Sequence, residues 1–208
     1  MNLIVIPVFN DWRSLNKLLI EINKNSNHKN FTQILIIDDN STIKMFITKQ
    51  KLKKIKKIEV LRLRENVGSQ KAIALGLNYV KKKQRNFDFI TVMDGDGEDN
   101  PKNINELLKV ANDNRNSVIA SCRKKRKENF IIQLCYKIHL LITFFFTGQW
   151  MSFGNFSCFY YNNLKKILSD NSIWYAYSAG VKKNANIKRV YAARAKRYFD
   201  KTRVNFFF

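Results

Sequence analysis

The chain has 208 residues, enough for one domain with a buried core, and at 45% hydrophobic residues with 7 glycines and 2 prolines it is too apolar and too poor in chain breakers to be disordered. Its 38 Lys and Arg against 16 Asp and Glu leave a formal charge of +22, which calls for nucleic acid, anionic lipid or phosphorylated substrates as partners, with Lys-rich codon usage as a further source of the excess. Three widely spaced cysteines, Cys122, Cys135 and Cys158, exclude a disulfide framework and a CxxC zinc site and fit a reducing compartment.

The opening MNLIVIPVFN lacks the basic leader of a signal peptide and reads as a buried strand over Leu3–Ile6. Leu15, Leu18, Leu19 and Ile22 follow at helical spacing, then strands over Ile34–Ile37 and Glu59–Leu63. A helix carrying Ala72, Leu75 and Tyr79 precedes a strand over Phe89–Met93. Pro101 stands where the next helix begins, with Ile104, Leu107, Leu108 and Ala111 on its apolar face, and a fifth strand covers Val118–Ser121. This alternation predicts an α/β fold with a mostly parallel central sheet flanked by helices. No repeat or linker divides the chain, so residues 1–208 are expected to form one domain: a nucleotide-binding half over 1–122 and a second half over 123–208.

The rhythm fades in that second half. A basic run at Arg123–Lys127 leads to the apolar stretch Ile138–Phe146, well short of the roughly 18 residues that a spanning helix needs. It reads equally as a core helix or as a helix lying on a membrane. The final Phe206–Phe208 calls for burial in the fold or in lipid, unless the chain is cut there.

Chemistry is expected beyond the carboxyl ends of the strands, where open α/β sheets bind ligands. Three strands end in polar clusters: PVFND, DDNS and DGDGED. The last gathers Asp94, Asp96, Glu98 and Asp99, with glycines leaving room for a ligand. Hard oxygen ligands so spaced suit Mg²⁺ or Mn²⁺ carrying a diphosphate; a solvated turn is the plainer reading. An EF-hand loop is excluded, because Asp99 stands at its sixth position and Asn105 at its twelfth. ENVGSQKAIALG, over Glu65–Gly76, opens a helix after the third strand but matches neither GxGxxG nor GxxxxGK.

Between Arg123 and Phe199 the only carboxylates are Glu128 and Asp170, and the two histidines, His28 and His139, fall in a loop and on an apolar stretch. A hydroxyl acceptor needs a general base; an acceptor already ionised, such as a phosphate, needs cations instead.

The ordered set IPVFND, IIDDNS, ENVGSQKAIALG, VMDGDGEDNP and SCRKKRK resembles family-2 glycosyltransferases of the GT-A fold, in particular the dolichyl- and polyprenyl-phosphate sugar transferases. The resemblance implies transfer of a sugar from a nucleoside-diphosphate sugar to a polyprenyl phosphate or other lipid acceptor, with Mg²⁺ or Mn²⁺. It implies that Pro7, Phe9 and Asp11 cradle the nucleoside, with Asp11 shorter than the family's usual Glu. Asp38 and Asp39 would lie near base and ribose, and Asn66 and Gly68 would join the donor site. Asp94 and Asp96 would hold donor and metal, with Glu98 a third ligand where this branch more often has Gln. Arg123 would face the phosphates. The tail RAKRYFDKTR resembles the branch's RxxRxxGxS element, giving Arg194, Arg197 and Thr202, with Asp200 in place of its glycine. Lys137 and Arg203 complete the expected acceptor-phosphate set, and Asp96, Arg123, Arg194 and Arg197 the catalytic set.

Two departures stand out: Ile132 and Tyr136 occupy positions where the branch places a basic residue and a serine for the lipid phosphate, and the transmembrane helices of many members are not expected here. The expected setting is the cytoplasm, peripherally attached to the anionic face of the membrane, with a membrane protein as a possible partner. Nucleic acid is not expected, since the basic runs accompany no helix-turn-helix, zinc or RNP signature. The alternatives are transfer to a glycan or lipid hydroxyl, and a non-catalytic basic binding protein.

Overall fold

The computed structural model describes residues 1–26, 32–48, 52–83, 87–123, 138, 153–193 and 195–199. An inner strand of its sheet is β1 (Asn2–Val8), buried at every position. Such an uninterrupted apolar run suits a parallel strand covered on both faces. Parallel neighbours flank it, β2 (Thr32–Asp38) on one side and β4 (Phe89–Val92) on the other, and β3 (Ile55–Arg62) pairs parallel outside β2. Beyond β4 the sheet continues through β6 (Ser157–Tyr160), β5 (Ser117–Arg123) and β7 (Asn186–Ala192), in the order β3-β2-β1-β4-β6-β5-β7. Only β6 is reversed, antiparallel to both β4 and β5; β5 and β7 run parallel.

The two faces are filled by alternate residues of the same strands, as the two-residue side-chain period requires. Ile4, Ile6, Ile34 and Ile36 pack on one side with α1 (Trp12–Asn25) and α3 (Ile104–Asp113). Leu3, Val5, Leu35 and Ile37 pack on the other with α2 (Ser69–Lys82), the short α4 (Leu164–Ile167) and α5 (Tyr177–Asn184). The edge strands β3 and β7 carry exposed lysines, Lys56, Lys57 and Lys188 among them, charges that discourage edge-to-edge pairing.

All five strands expected from the sequence are present, as are the helices of the first half, and Pro101 opens a 3₁₀ turn immediately before α3. The apolar face of α2 is shifted from the expected one. Ala72, Ile73, Leu77 and Val80 are buried, whereas Leu75 and Tyr79 lie on its flank, and Tyr79 donates its hydroxyl to Glu59 of β3. Strands β6 and β7 have no counterpart among the expected elements, whereas the helix over Leu164–Ile167 stands just before the SDN stretch that reads as a helix end. The stretch Ile138–Phe146 (apart from half-exposed Ile138), the basic run beyond Arg123, and Phe206–Phe208 lie outside the described residues. No helix among the described residues is long and apolar enough to cross a membrane.

The second-half helices pack closely. A Cβ on Gly180 would stand 2.6 Å from the Ile173 Cα, whereas one on Gly154 would meet nothing within 4 Å. Gly180→Ala should therefore cost about 1–3 kcal/mol through overpacking, and Gly154→Ala should stay within about 0.5 kcal/mol of the parent. Urea unfolding of the two variants checks this.

Candidate active site

The carboxyl ends of β1, β2 and β4 form one rim. β1 runs on to Val8 while β4 stops at Val92. The last link between them is Met93 N–H to the Val5 carbonyl, at 3.2 Å. Pro7, two residues on, faces the same side and has no N–H to continue the ladder, so the β1–β4 pairing stops there. The chain beyond β4 is DGDGED, and it stays beside β1: a Cβ on Gly95 would lie 3.2 Å from the Pro7 carbonyl oxygen.

The loops after β1 and β2 are knitted together. Asn10, at φ 55°, accepts through Oδ1 from the N–H groups of Thr42 and Ile43 at 2.8 and 3.0 Å, and its own N–H donates to Ser41 Oγ. Trp12 Nε1 donates to the Ile43 carbonyl. Asp38 and Asp39 are 1% and 2% exposed, and their described partners belong to the protein. Asp38 accepts from Ser41 N–H at 2.8 Å and lies 3.7 Å from Arg62 Nε. The two oxygens of Asp39 accept from the N–H groups of Val67 and Gly68, at 2.8 and 2.9 Å. In this arrangement both aspartates shape the rim. Asp39 in particular fixes the turn that presents exposed Asn66 and Gly68 at the start of α2. That helix has no side-chain cap at its N-terminus, so its first N–H groups and the dipole favour an anion there.

Asp39→Asn should cost about 1 kcal/mol of folding stability, because a carboxamide turns one donor toward a backbone donor and leaves a part-buried N–H without its partner. Denaturant unfolding measures the loss.

The DGDGED loop is held from two directions. Asp94 Oδ1 accepts from Asn155 Nδ2 at 2.9 Å, Asp99 Oδ2 accepts from Asp94 N–H, and Asp96 Oδ1 accepts from Glu98 N–H. Over the loop runs the segment 195–199. Ala195 and Tyr198 donate their N–H groups to the carbonyls of Glu98 and Asp96, at 2.9 and 3.0 Å. Gly97 has φ 88°, and a Cβ there would lie 2.3 Å from the Tyr198 ring. Gly95 and Gly97 thus make room for the protein's own chain, where the sequence had pointed to space for a ligand. Burial raises the Tyr198 phenol pKa, with nearby Glu21 adding to the effect.

Between the two layers sits Arg197. One guanidinium nitrogen lies 3.2 Å from Asp11 Oδ2 and the other 3.9 Å from Asp96 Oδ2, with all three side chains at most 20% exposed. Asp11 also caps α1, accepting from Ser14 N–H. The guanidinium of Arg13 stacks 3.9 Å from the Phe199 ring and Lys17 Nζ lies 4.6 Å from that of Tyr198, tying the segment to α1. Arg197, expected at an acceptor phosphate, here bridges Asp11, expected at the nucleoside, and Asp96, expected at the metal.

The topology carries other candidates to this rim. Arg123 ends β5 opposite Ala192 of β7. Phe9 is half-buried beyond β1. Lys137, Arg194, Thr202 and Arg203 lie outside the described residues, as do Glu128, His28, His139, Ile132 and Tyr136. Asp170 is committed elsewhere. It caps a 3₁₀ turn through Ser172 N–H and pairs with Lys183 at 2.6 Å. The Lys183 hydrogen bond, then those from Ser172, hold its carboxyl well below the usual range. Cys122 and Cys158 are buried free thiols, and burial pushes both pKa values up, that of Cys158 to about 12. Among the described residues no three His, Cys, Asp or Glu side chains gather as a metal site. Gln70 and Asn155, which touch this network, were not singled out from the sequence, since lone amides carry no motif.

The family model described as Glycosyl transferase family 2 matches residues 3–172. The comparison with curated proteins gives no significant match. Among solved structures, S. aureus TarS 1-349 is similar at 18% identity and TM-score 0.56, over 92% of this chain and 60% of that one. TarS 1-349 in complex with UDP-GlcNAc gives 19% and 0.56, over 94% and 59%, and the complex with UDP gives 18% and 0.59, over 92% and 60%. This chain thus spans about 60% of the length of those structures. With a mostly parallel α/β sheet and the family model matched along most of its length, the chain belongs to glycosyl transferase family 2 and has its GT-A fold.

Proposed function

We propose that this glycosyltransferase uses a UDP-type sugar donor and transfers the sugar to a polyprenyl phosphate presented at an anionic membrane face. The observation that carries the donor reading is the Asp11–Arg197–Asp96 bridge, which brings two carboxylates from different strand ends and a guanidinium together at one rim. The UDP and UDP-GlcNAc complexes of structurally similar TarS support the choice of donor.

In this reading Pro7, Phe9 and Asp11 border the nucleoside. The uncapped start of α2, beside Asn66 and Gly68, receives phosphate oxygens, and Asp94 and Asp96 stand at the diphosphate. A divalent cation fits that pair. Magnesium and its like are commonly held by one or two carboxylates together with substrate phosphates, without a complete protein cage. The facing of Asp96 toward a guanidinium is consistent with a carboxylate that takes a cationic partner. When bound, Mg²⁺ or Mn²⁺ would neutralise the departing diphosphate.

The acceptor reading rests on the carboxylates of the second half. Asp170 is bound into an ion pair and a cap, so of the two candidates for a general base one is occupied with structure. A phosphate acceptor needs none: its oxygen attacks the anomeric carbon as the bond to the diphosphate breaks. Residues 123–208 would supply the acceptor side, with Arg123, Lys137, Arg194, Thr202 and Arg203 receiving the phosphate. Arginine suits this task because its planar fork binds two phosphate oxygens at once.

Transfer of radiolabelled sugar to a short polyprenyl phosphate in vesicles, compared with the matching polyprenol, tests the proposal. The phosphate should be used and the alcohol ignored; equal use of both would favour a hydroxyl acceptor. Asp96→Asn should lower transfer by about 10–100-fold with folding intact. Arg197→Lys should impair transfer although charge is kept, and Arg197→Ala should impair it more, both read as kcat/KM in the same assay.

A further inference from the structure

The described partner of Asp94 comes from the turn that leads into the reversed strand. Because β6 runs against β4, with Val92 opposite Ser157, the residues leading into β6 arrive at the carboxyl end of β4. Two residues before the strand stands Asn155, 9% exposed, with Nδ2 2.9 Å from Asp94 Oδ1. Its other amide atom, Oδ1, accepts from Gln70 Nε2 at 3.0 Å, and Gln70 Oε1 accepts from the N–H of Tyr177 at 2.8 Å.

The direction of this chain is set at both ends, because the Asp94 carboxylate only accepts. A backbone N–H can only donate, so the Tyr177 N–H demands the oxygen of Gln70. The nitrogen of Gln70 then points at Asn155 and demands its oxygen, and the NH₂ of Asn155 is left for Asp94. Tyr177 is a firm origin: its side chain is fully buried and its hydroxyl lies 2.8 Å from Ser157 Oγ. Each amide alone could turn over at little cost. Linked in series to a fixed donor, neither turns without placing oxygen against oxygen.

We propose that Gln70 and Asn155 are positioning residues that orient Asp94 for the donor diphosphate, with Tyr177 fixing the polarity of the relay. This rests on the donor-site reading above, and it gives the α2 start, β6 and α5 a shared task. It also separates Gln70 from an ordinary packing residue, because the effect of Gln70 on Asp94 must pass through Asn155.

The test is a double-mutant cycle on UDP affinity, measured by calorimetry in the presence of Mn²⁺, with thermal unfolding recorded for every variant. Asn155→Ala should weaken UDP binding about 10-fold or more, in line with the loss of a group that orients a ligand. Gln70→Ala should weaken it less, and in the Asn155→Ala background it should add nothing, a coupling expected only of residues acting in series. Gln70→Glu is nearly isosteric and keeps the acceptor for Tyr177, but it cannot donate to Asn155. It should set oxygen against oxygen at Asn155, loosen that amide's hold on Asp94 and weaken binding more than Gln70→Ala does; in the Asn155→Ala background that extra loss should shrink to the effect of the added charge alone. Independent, multiplying losses, or parental affinity in Gln70→Glu, would overturn the relay while leaving the donor site standing. Failure of the parent protein to bind UDP would instead overturn the donor-site reading and the relay with it.

Discussion

The rim of this sheet collects negative charge. Asp11, Asp38, Asp39, Asp94 and Asp96 follow three strand ends that are neighbours in the sheet, and burying like charges together is unfavourable unless each is compensated. The compensation differs along the rim. Asp38 and Asp39 are met by backbone N–H groups, Asp94 by the Asn155 amide, and Asp11 and Asp96 share one guanidinium. Backbone donors cannot leave without unfolding a loop, so the first two carboxylates are architectural. A guanidinium on a segment docked over the loop is a different kind of partner. The pair at Arg197 is where a substrate anion and its cation would enter the balance, and the proposed chemistry is placed there for that reason.

Much of the first half was legible in the sequence, because its strands are largely apolar runs and its helices carry one apolar face. The clusters at PVFND, DDNS and DGDGED followed directly from where those strands end. What the pattern could not convey was the direction in which each carboxylate turns. Asp38 and Asp39 read as ligand-facing, and only the N–H groups of Ser41, Val67 and Gly68 reveal their inward commitment. Gly95 and Gly97 read as space for a ligand, although the space is filled by Pro7 and Tyr198.

The second half was harder for physical reasons. β6 is SCFY, without the β-branched residues that mark the equally short FITV of β4, and β7 is an edge strand whose NIKRVYA is largely exposed. Neither matches the buried-run signature of β1. Yet the reversal of β6 is what delivers Asn155 to the rim, and the course of β7 leads into the segment that carries Arg197. The elements least visible in the sequence are therefore the ones that complete the site built by the most visible.

The central claim is that the rim formed by the ends of β1, β2 and β4 receives a nucleoside diphosphate beneath the 195–199 segment. Amide hydrogen exchange of the parent protein, with and without UDP and Mn²⁺, tests it most directly. Ligand should slow exchange over residues 8–12, 66–70 and 93–99 and alter it over 195–199, leaving the distant β3 edge unchanged. Unaltered exchange in those four segments under saturating ligand, or protection confined to another face of the sheet, would contradict the account.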